Sequence, residues 1–495
     1  MISSNGDIDT AFDGITYSKG SAVISMFEHW IGPAEFRKGV RIYLQRYAFR
    51  NATAGDFLNT LSSATKKNVS RAFSTFLDQP GVPLVSVALE CDGKTPALHL
   101  SQSRYVPIGS PSSADEVWNI PVCIRYGAGP GAAGCMLLTE KAAEWPLTEA
   151  QSCPQWVEAN AGAQGYYRVE YQGGLLNALT SGDVSARLNP AERVELMGTV
   201  QGMATGGKLP EADALRLAER LHDDPERQEV ASALNAALFI ADNLVPRDLM
   251  SNYRRYLLKN FGARAHELGW IVPPAEGDEK RLLRPGLLSA VATSGGDEGL
   301  ARQARDLAER WLNDRKAVAP EMVPAVLTTA AYYGDAALHS QFVAEAEKTN
   351  DRLEQQQLLV ALASFRDRNL LERSLEEVLA GRIPLRVAPQ LLFQSGARSP
   401  ETRKLPFEFF QAHFDQLMAG NVSIMGFTLG ANLPNLGRSF CDAASRQELL
   451  AFLGPLAAKY DGLQRNLDQT LETINQCIAL VQAQGASVRR FLEKY

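Results

Sequence analysis

The chain has 495 residues, of which 45% are hydrophobic and 21% charged, with a formal net charge of −6. That balance excludes a disordered chain, and the acidic excess offers no basic face to the phosphates of a nucleic acid. A chain this long exceeds one ordinary core, so roughly two to four domains are expected.

No run is apolar for long enough to span a bilayer. Met1 to Thr10 has neither the basic n-region nor the apolar h-region of a signal peptide, so the sequence assigns no compartment.

The first eighty residues read as helices. Ala22, Val23, Met26, Phe27, Trp30 and Ile31 recur at helical spacing, and after a Gly32-Pro33 break Phe36, Val40, Tyr43, Leu44 and Tyr47 do so again. Thr53 with Asp56 predicts an N-cap opening a helix through Phe57, Leu58 and Leu61. A last helix holds Phe73, Phe76 and Leu77 and stops at Gln79-Pro80-Gly81.

The period then changes to two. Val82 to Leu89 is rich in β-branched residues, Asp92-Gly93 is a hairpin signal, and Leu98 and Leu100 alternate with polar residues. Val117 to Ile124, Cys135 to Leu138 and Tyr166 to Tyr171 are further strand candidates. Several short strands in so small a span predict a β-sandwich over 81–173.

From Leu188 onward the pattern is helical. Asn189-Pro190-Ala191-Glu192 supplies an Asn cap, proline at the first helical position and glutamate at the third; Ser399-Pro400-Glu401 reads as a similar start. Roughly fifteen helices fit, joined by short loops such as Gly295-Gly296-Asp297. Helical hairpins stacked into a curved array suit this region, 185–495.

Cys91, Cys123, Cys135 and Cys153 fall in the β-rich stretch, Cys441 and Cys477 far downstream, and no C-x-x-C occurs. Two disulfides in the β region and buried free thiols are both open readings. Asn51-Ala52-Thr53, Asn68-Val69-Ser70 and Asn421-Val422-Ser423 match the glycosylation sequon, but Thr53 already has a capping role and the short pattern is weak. The pairs Glu376-Glu377 and Asp223-Asp224 read as solvated faces, because adjacent helical residues do not face each other.

Phe12-Asp13-Gly14-Ile15-Thr16-Tyr17-Ser18-Lys19-Gly20 resembles the F-D-x-I-x-Y-x-K-G segment of M1-family zinc aminopeptidases. Phe36-Arg37-Lys38-Gly39, Asn51-Ala52-Thr53 and Gln79-Pro80-Gly81-Val82-Pro83 continue the similarity. Trp156, Asn160 and Gly165-Tyr166-Tyr167-Arg168-Val169 resemble the family's W…N…G-Y-Y-R-V strand. The resemblance implies a multidomain, mostly α chain: a helical remnant of a thermolysin-like catalytic domain (1–80), a small β-sandwich (81–173) and a large ERAP1-like, HEAT/ARM-like superhelical domain (185–495).

It also implies a chemistry. Family members hydrolyse the N-terminal peptide bond of peptides with a zinc-bound water, the metal being held by H-E-x-x-H and a further glutamate. Tyr17 is the catalytic position carried over: its phenol donates to the oxyanion of the tetrahedral intermediate, a role contributing on the order of 3 kcal/mol to the barrier. Lys19 and Gly20 read as structural. Arg168 reads as a packing or surface residue on its strand rather than one facing the peptide.

The zinc ligands themselves are missing. The histidines are His29, His99, His222, His266, His339 and His413, no two of them four apart, and His266-Glu267-Leu268-Gly269-Trp270 fails the motif. The amine-binding G-x-M-E-N is also absent. In the family both precede the tyrosine segment, so the expectation is a chain truncated upstream of Met1 and inactive alone. The rival reading is a non-catalytic peptide-binding or scaffold module built on the helical array. Loss of the upstream catalytic region is expected to expose the apolar face of Met26, Phe27 and Trp30 and to drive self-association through 1–80.

Overall fold

The computed structural model describes residues 15–93, 95–127, 133–396, 399–419, 423–424 and 427–495. Phe12, Asp13 and Gly14 of the tyrosine motif, and Asn421 and Val422 of the third sequon, lie outside that set. The chain divides into two compact units, one of Met1–Pro107 with Pro111–Lys208, the other of Ile108–Ser110 with Leu209–Tyr495.

The first unit opens with a π-helical turn, Ile15–Lys19, running into α1 (Gly20–Ile31). Gly32, at φ +99°, ends α1 in a conformation that favours glycine, and Pro33 starts α2 (Pro33–Arg46) with its φ already set. Thr53 caps α3 (Ala54–Thr65) in a full capping box with Asp56, and Asn68 caps α4 (Val69–Asp78) by accepting from the Arg71 N–H. Two of the three sequons therefore place Thr53 and Asn68 in helix caps.

The strands are β1 (Pro83–Glu90), β2 (Ala97–Arg104), β3 (Ile120–Tyr126), β4 (Ala133–Leu138), β5 (Ala142–Pro146), β6 (Val157–Glu158) and β7 (Arg168–Tyr171). They form a four-stranded sheet in the order β5-β2-β1-β7 and a three-stranded sheet in the order β4-β3-β6. β1 and β2, which flank Asp92-Gly93 in sequence, pair antiparallel with Glu90 opposite Ala97, while β7 joins β1 in parallel.

One hydrophobic core serves helices and sheets alike. Val85, Val87, Leu98 and Leu100 of one sheet and Ile120, Val122 and Ile124 of the other share it with Phe27, Phe73 and Phe76. Phe27 packs at 5.0 Å from Phe73 and 5.8 Å from Trp30. The expected exposed face is thereby corrected: Met26 and Phe27 are buried and Trp30 packs against the same core, because α1 sets Phe27 against Phe73 and Phe76 of α4 within that core. The large apolar side chains left exposed in this segment are others, among them Leu44 and Leu77.

Before the second unit comes α5 (Leu175–Thr180), then α6 (Pro190–Thr205), whose Asn189–Glu192 capping box forms as the sequence predicts. The second unit is helical hairpins, beginning with α7 (Glu211–Leu221) and α8 (Arg227–Phe239), each helix packing on its next or next-but-one neighbour. Its terminal helix, Leu463–Leu492, returns to α7: Gln484 Oε1 accepts from the Glu211 N–H at 2.9 Å and Ser487 Oγ from the Ala212 N–H at 3.1 Å. Those bonds satisfy two donors that a helix start leaves orphaned.

Ser399-Pro400-Glu401 does not start a helix. Ser399 Oγ donates to the Glu401 carboxylate at 2.5 Å instead of capping, Thr402 Oγ1 donates to the Gly396 carbonyl at 3.0 Å, and the next helix begins at Leu405. All six cysteines pair, as Cys91–Cys153, Cys123–Cys135 and Cys441–Cys477, which decides between the two open readings.

Candidate functional site

Tyr17 sits in the π-helical turn ahead of α1 and is 60% exposed. Its turn is anchored one helical step on. The Lys19 ammonium donates to the Gln79 carbonyl at 3.4 Å, and the Gln79 amide donates to the Val117 carbonyl at 2.9 Å. Two motif segments sixty residues apart in sequence thus meet. Burial lowers the Lys19 pKa, as expected for an ammonium partly withdrawn from water.

The Trp156-to-Val169 motif is a scaffold. Asn160 is buried, and its side-chain oxygen accepts from the Gly165 N–H at 2.7 Å. A Cβ on Gly165 would meet the Tyr167 ring at 2.2 Å, so only glycine fits this close approach. Tyr167 donates to the Ala159 carbonyl at 2.8 Å, and Arg168 donates to the Gly198 carbonyl of α6 at 2.8 Å, a packing role.

Behind this motif lies a buried acidic cluster that the sequence did not reveal. Glu158 is fully buried on β6; it accepts from the Asn160 N–H at 2.8 Å. Burial, and then the neighbouring charge of Glu195, push its pKa up to about 8. Glu195, on α6, accepts from the Thr199 hydroxyl at 2.6 Å and is raised by the same burial. Glu192 accepts from the Gly162 N–H at 2.9 Å and pairs with Arg125. A charged residue in a two-residue strand and another in a helix read as solvent-facing until the tertiary packing is known.

Histidine placement does not suit a hydrolytic zinc. His99 pairs with Glu90 at 2.6 Å, His266 with Asp297 at 2.7 Å, and His339 is buried against Ser374 at 2.8 Å. His222 contacts the Glu219 carbonyl, and His413 stacks on Phe409. Among the described residues, three metal-ligating side chains converge at His29, Cys123 and Cys135, but the two sulfurs are bonded to each other. A disulfide is no thiolate ligand, so the described residues do not fit the catalytic ion. Asp223 is largely exposed while Asp224 accepts from the Glu226 N–H, and Glu377 is held by Arg382, so neither acidic pair is a carboxylate dyad.

In the second unit an open cleft of about 670 Å³ is lined by Tyr460, Asp461, Gln464, Arg465, Asp468 and Glu472. Among the described residues, no helix is long and apolar enough to cross a membrane.

Residues 156–476 match the family model of the ERAP1-like C-terminal domain, and residues 1–76 that of the peptidase family M1 domain. The chain is 25% identical over 379 residues to the puromycin-sensitive aminopeptidase of Caenorhabditis elegans, covering 76% of this chain and 40% of that protein. It is 23% identical over 495 residues to the alanine/arginine aminopeptidase of Saccharomyces cerevisiae, covering 99% and 56%. With aminopeptidase N of Lactococcus lactis the identity is 22% over 500 residues, covering 100% and 57%. The chain spans about half the length of the curated relatives it matches. It belongs to the M1 aminopeptidase family, of which it is a C-terminal portion bearing the ERAP1-like C-terminal domain.

Proposed function

We propose that this chain is the C-terminal portion of a zinc-dependent aminopeptidase that removes N-terminal residues from peptides, and that it is inactive by itself. In this reading residues 1–80 are the end of the catalytic domain, 81–173 the sandwich and 185–495 the helical domain. Tyr17 is the oxyanion donor. The observation that carries the reading is the exposed Tyr17 phenol on a turn anchored by Lys19 to Gln79, in the segment matched by the M1 peptidase model.

This chain's part in the reaction is to hold a hydroxyl donor ready where negative charge develops. A preorganised donor needs no reorientation during the reaction, which is why it lowers the barrier. The zinc would supply the activated water; its ligands and the amine-binding glutamate would come from residues outside this sequence. Residues 1–80 are then the surface that meets the zinc-bearing region, and the exposed Leu44 and Leu77 suit such a contact.

Reading the coding sequence upstream tests this. In-frame H-E-x-x-H and G-x-M-E-N support it, and upstream sequence without them contradicts it. In a polypeptide carrying both regions, Tyr17→Phe should lower kcat about a hundredfold with little change in KM. Unchanged kcat would remove Tyr17 from the chemistry.

A further inference from the structure

His29, Cys123 and Cys135 meet at a place the aminopeptidase chemistry does not use. Cys123 and Cys135 stand directly opposite each other in the antiparallel β3–β4 ladder. Ile120, Val122 and Ile124 of β3 join the hydrophobic core, and strand alternation points Cys123, between them, the other way, to where the His29 imidazole lies. There the His29 imidazole and both sulfurs lie within 4.8 Å of one another. His29 and Cys135 are exposed, while Cys123 is buried.

We propose that this cluster is a reduction-gated binding site for a thiophilic divalent cation of the zinc class. Oxidised, the two sulfurs bond to each other and the site is closed. A dithiol reductant, reaching the exposed Cys135, exchanges onto the disulfide: two electrons and two protons pass to the pair, giving two thiols, and the reductant leaves as its own disulfide. The cation then displaces both thiol protons and binds two thiolates and one imidazole nitrogen.

The geometry favours this over a merely reducible staple. Zinc–sulfur bonds of about 2.3 Å set tetrahedral ligand atoms about 3.7 Å apart, so atoms within 4.8 Å of one another need only rotamer changes to converge. His29 is in the last turn of α1, where the negative end of the helix dipole favours a cation. Three protein ligands leave a fourth position open to water.

The test uses the whole chain and cobalt or zinc as probe. After reduction by a phosphine and removal of the reductant without air, the chain should take up one equivalent more metal than the oxidised chain. Cobalt should give the near-ultraviolet thiolate charge-transfer band of a tetrahedral site. Cys123→Ser with Cys135→Ser should abolish both signals, and His29→Ala should weaken affinity about tenfold or more, at least what losing a supporting partner costs. Equal uptake by the reduced chain and the double-serine variant overturns the proposal, as does unchanged affinity in His29→Ala.

Reduction also opens the other two disulfides, so a second variant decides if the reduced chain unfolds. Cys135→His keeps three ligands and requires no reductant. It should bind cobalt in oxidising buffer and lose it on adding His29→Ala; a folded Cys135→His chain that binds no cobalt overturns the site.

Discussion

The Lys19 ammonium lies 3.4 Å from the Gln79 carbonyl oxygen, so the turn that carries Tyr17 is tied to the end of α4 rather than left as a free leader. Lys19→Met removes that tie. It should cost about 1 kcal/mol in urea unfolding, below the usual range for a charge-assisted bond because the contact is long and half solvated. Tyr17→Phe, at an exposed position, should change stability by less than about 0.5 kcal/mol. Any large catalytic effect of Tyr17→Phe would therefore be chemical and not a folding defect.

Glu158 gives the first unit a pH dependence of definite sign. Its folded pKa stands at about 8 against an ordinary 4.5, so the folded state holds a proton that the unfolded state releases. The stability this contributes is fully present below pH 4.5 and is lost as pH rises through about 8. The loss is on the order of a few kcal/mol. Urea midpoints measured from pH 5 to 9 should fall with rising pH, and Glu158→Gln should flatten that slope.

Glu192 closes the α6 capping box, accepts from the Gly162 N–H and pairs with Arg125. Its side chain is 1% exposed. Glu192→Ala leaves the Asn189 and Gly162 N–H groups and the Arg125 guanidinium without this buried acceptor and should cost about 2 kcal/mol in chemical denaturation. Glu192→Gln, which keeps an acceptor oxygen, should cost less.

Cys441–Cys477 closes a 36-residue separation and fixes the terminal helix to the segment before it. Replacing both with serine should destabilise the second unit by roughly 2–4 kcal/mol. Trypsin susceptibility of the terminal helix should rise accordingly.

The local signals were legible where the chemistry is local. The caps at Thr53 and Asn189, the Gly32-Pro33 break and the stop at Gln79 each depend on a few adjacent residues, and each forms as read. Non-local features were not. β5 and β6 are too short to show a period, and the parallel β1–β7 pairing joins residues 84 apart, as Leu84 with Arg168, without a turn signal. The Ser399 cap lost to a competing side-chain bond, and the face of Met26 and Phe27 found its cover in the core it shares with Phe73 and Phe76. At the candidate site the motif named Tyr17, but the Lys19 anchor, the Glu158–Glu195 cluster and the His29–Cys123–Cys135 convergence arise only from tertiary packing.

The most direct measurement is bound zinc per chain, paired with hydrolysis of a panel of aminoacyl fluorogenic substrates, on the purified 495-residue chain in oxidising buffer with added zinc. The expected result is near-zero zinc and no turnover, because no H-E-x-x-H is present to hold the ion. Stoichiometric zinc with turnover abolished by Tyr17→Phe would contradict it and would mean that these residues alone build a complete aminopeptidase site.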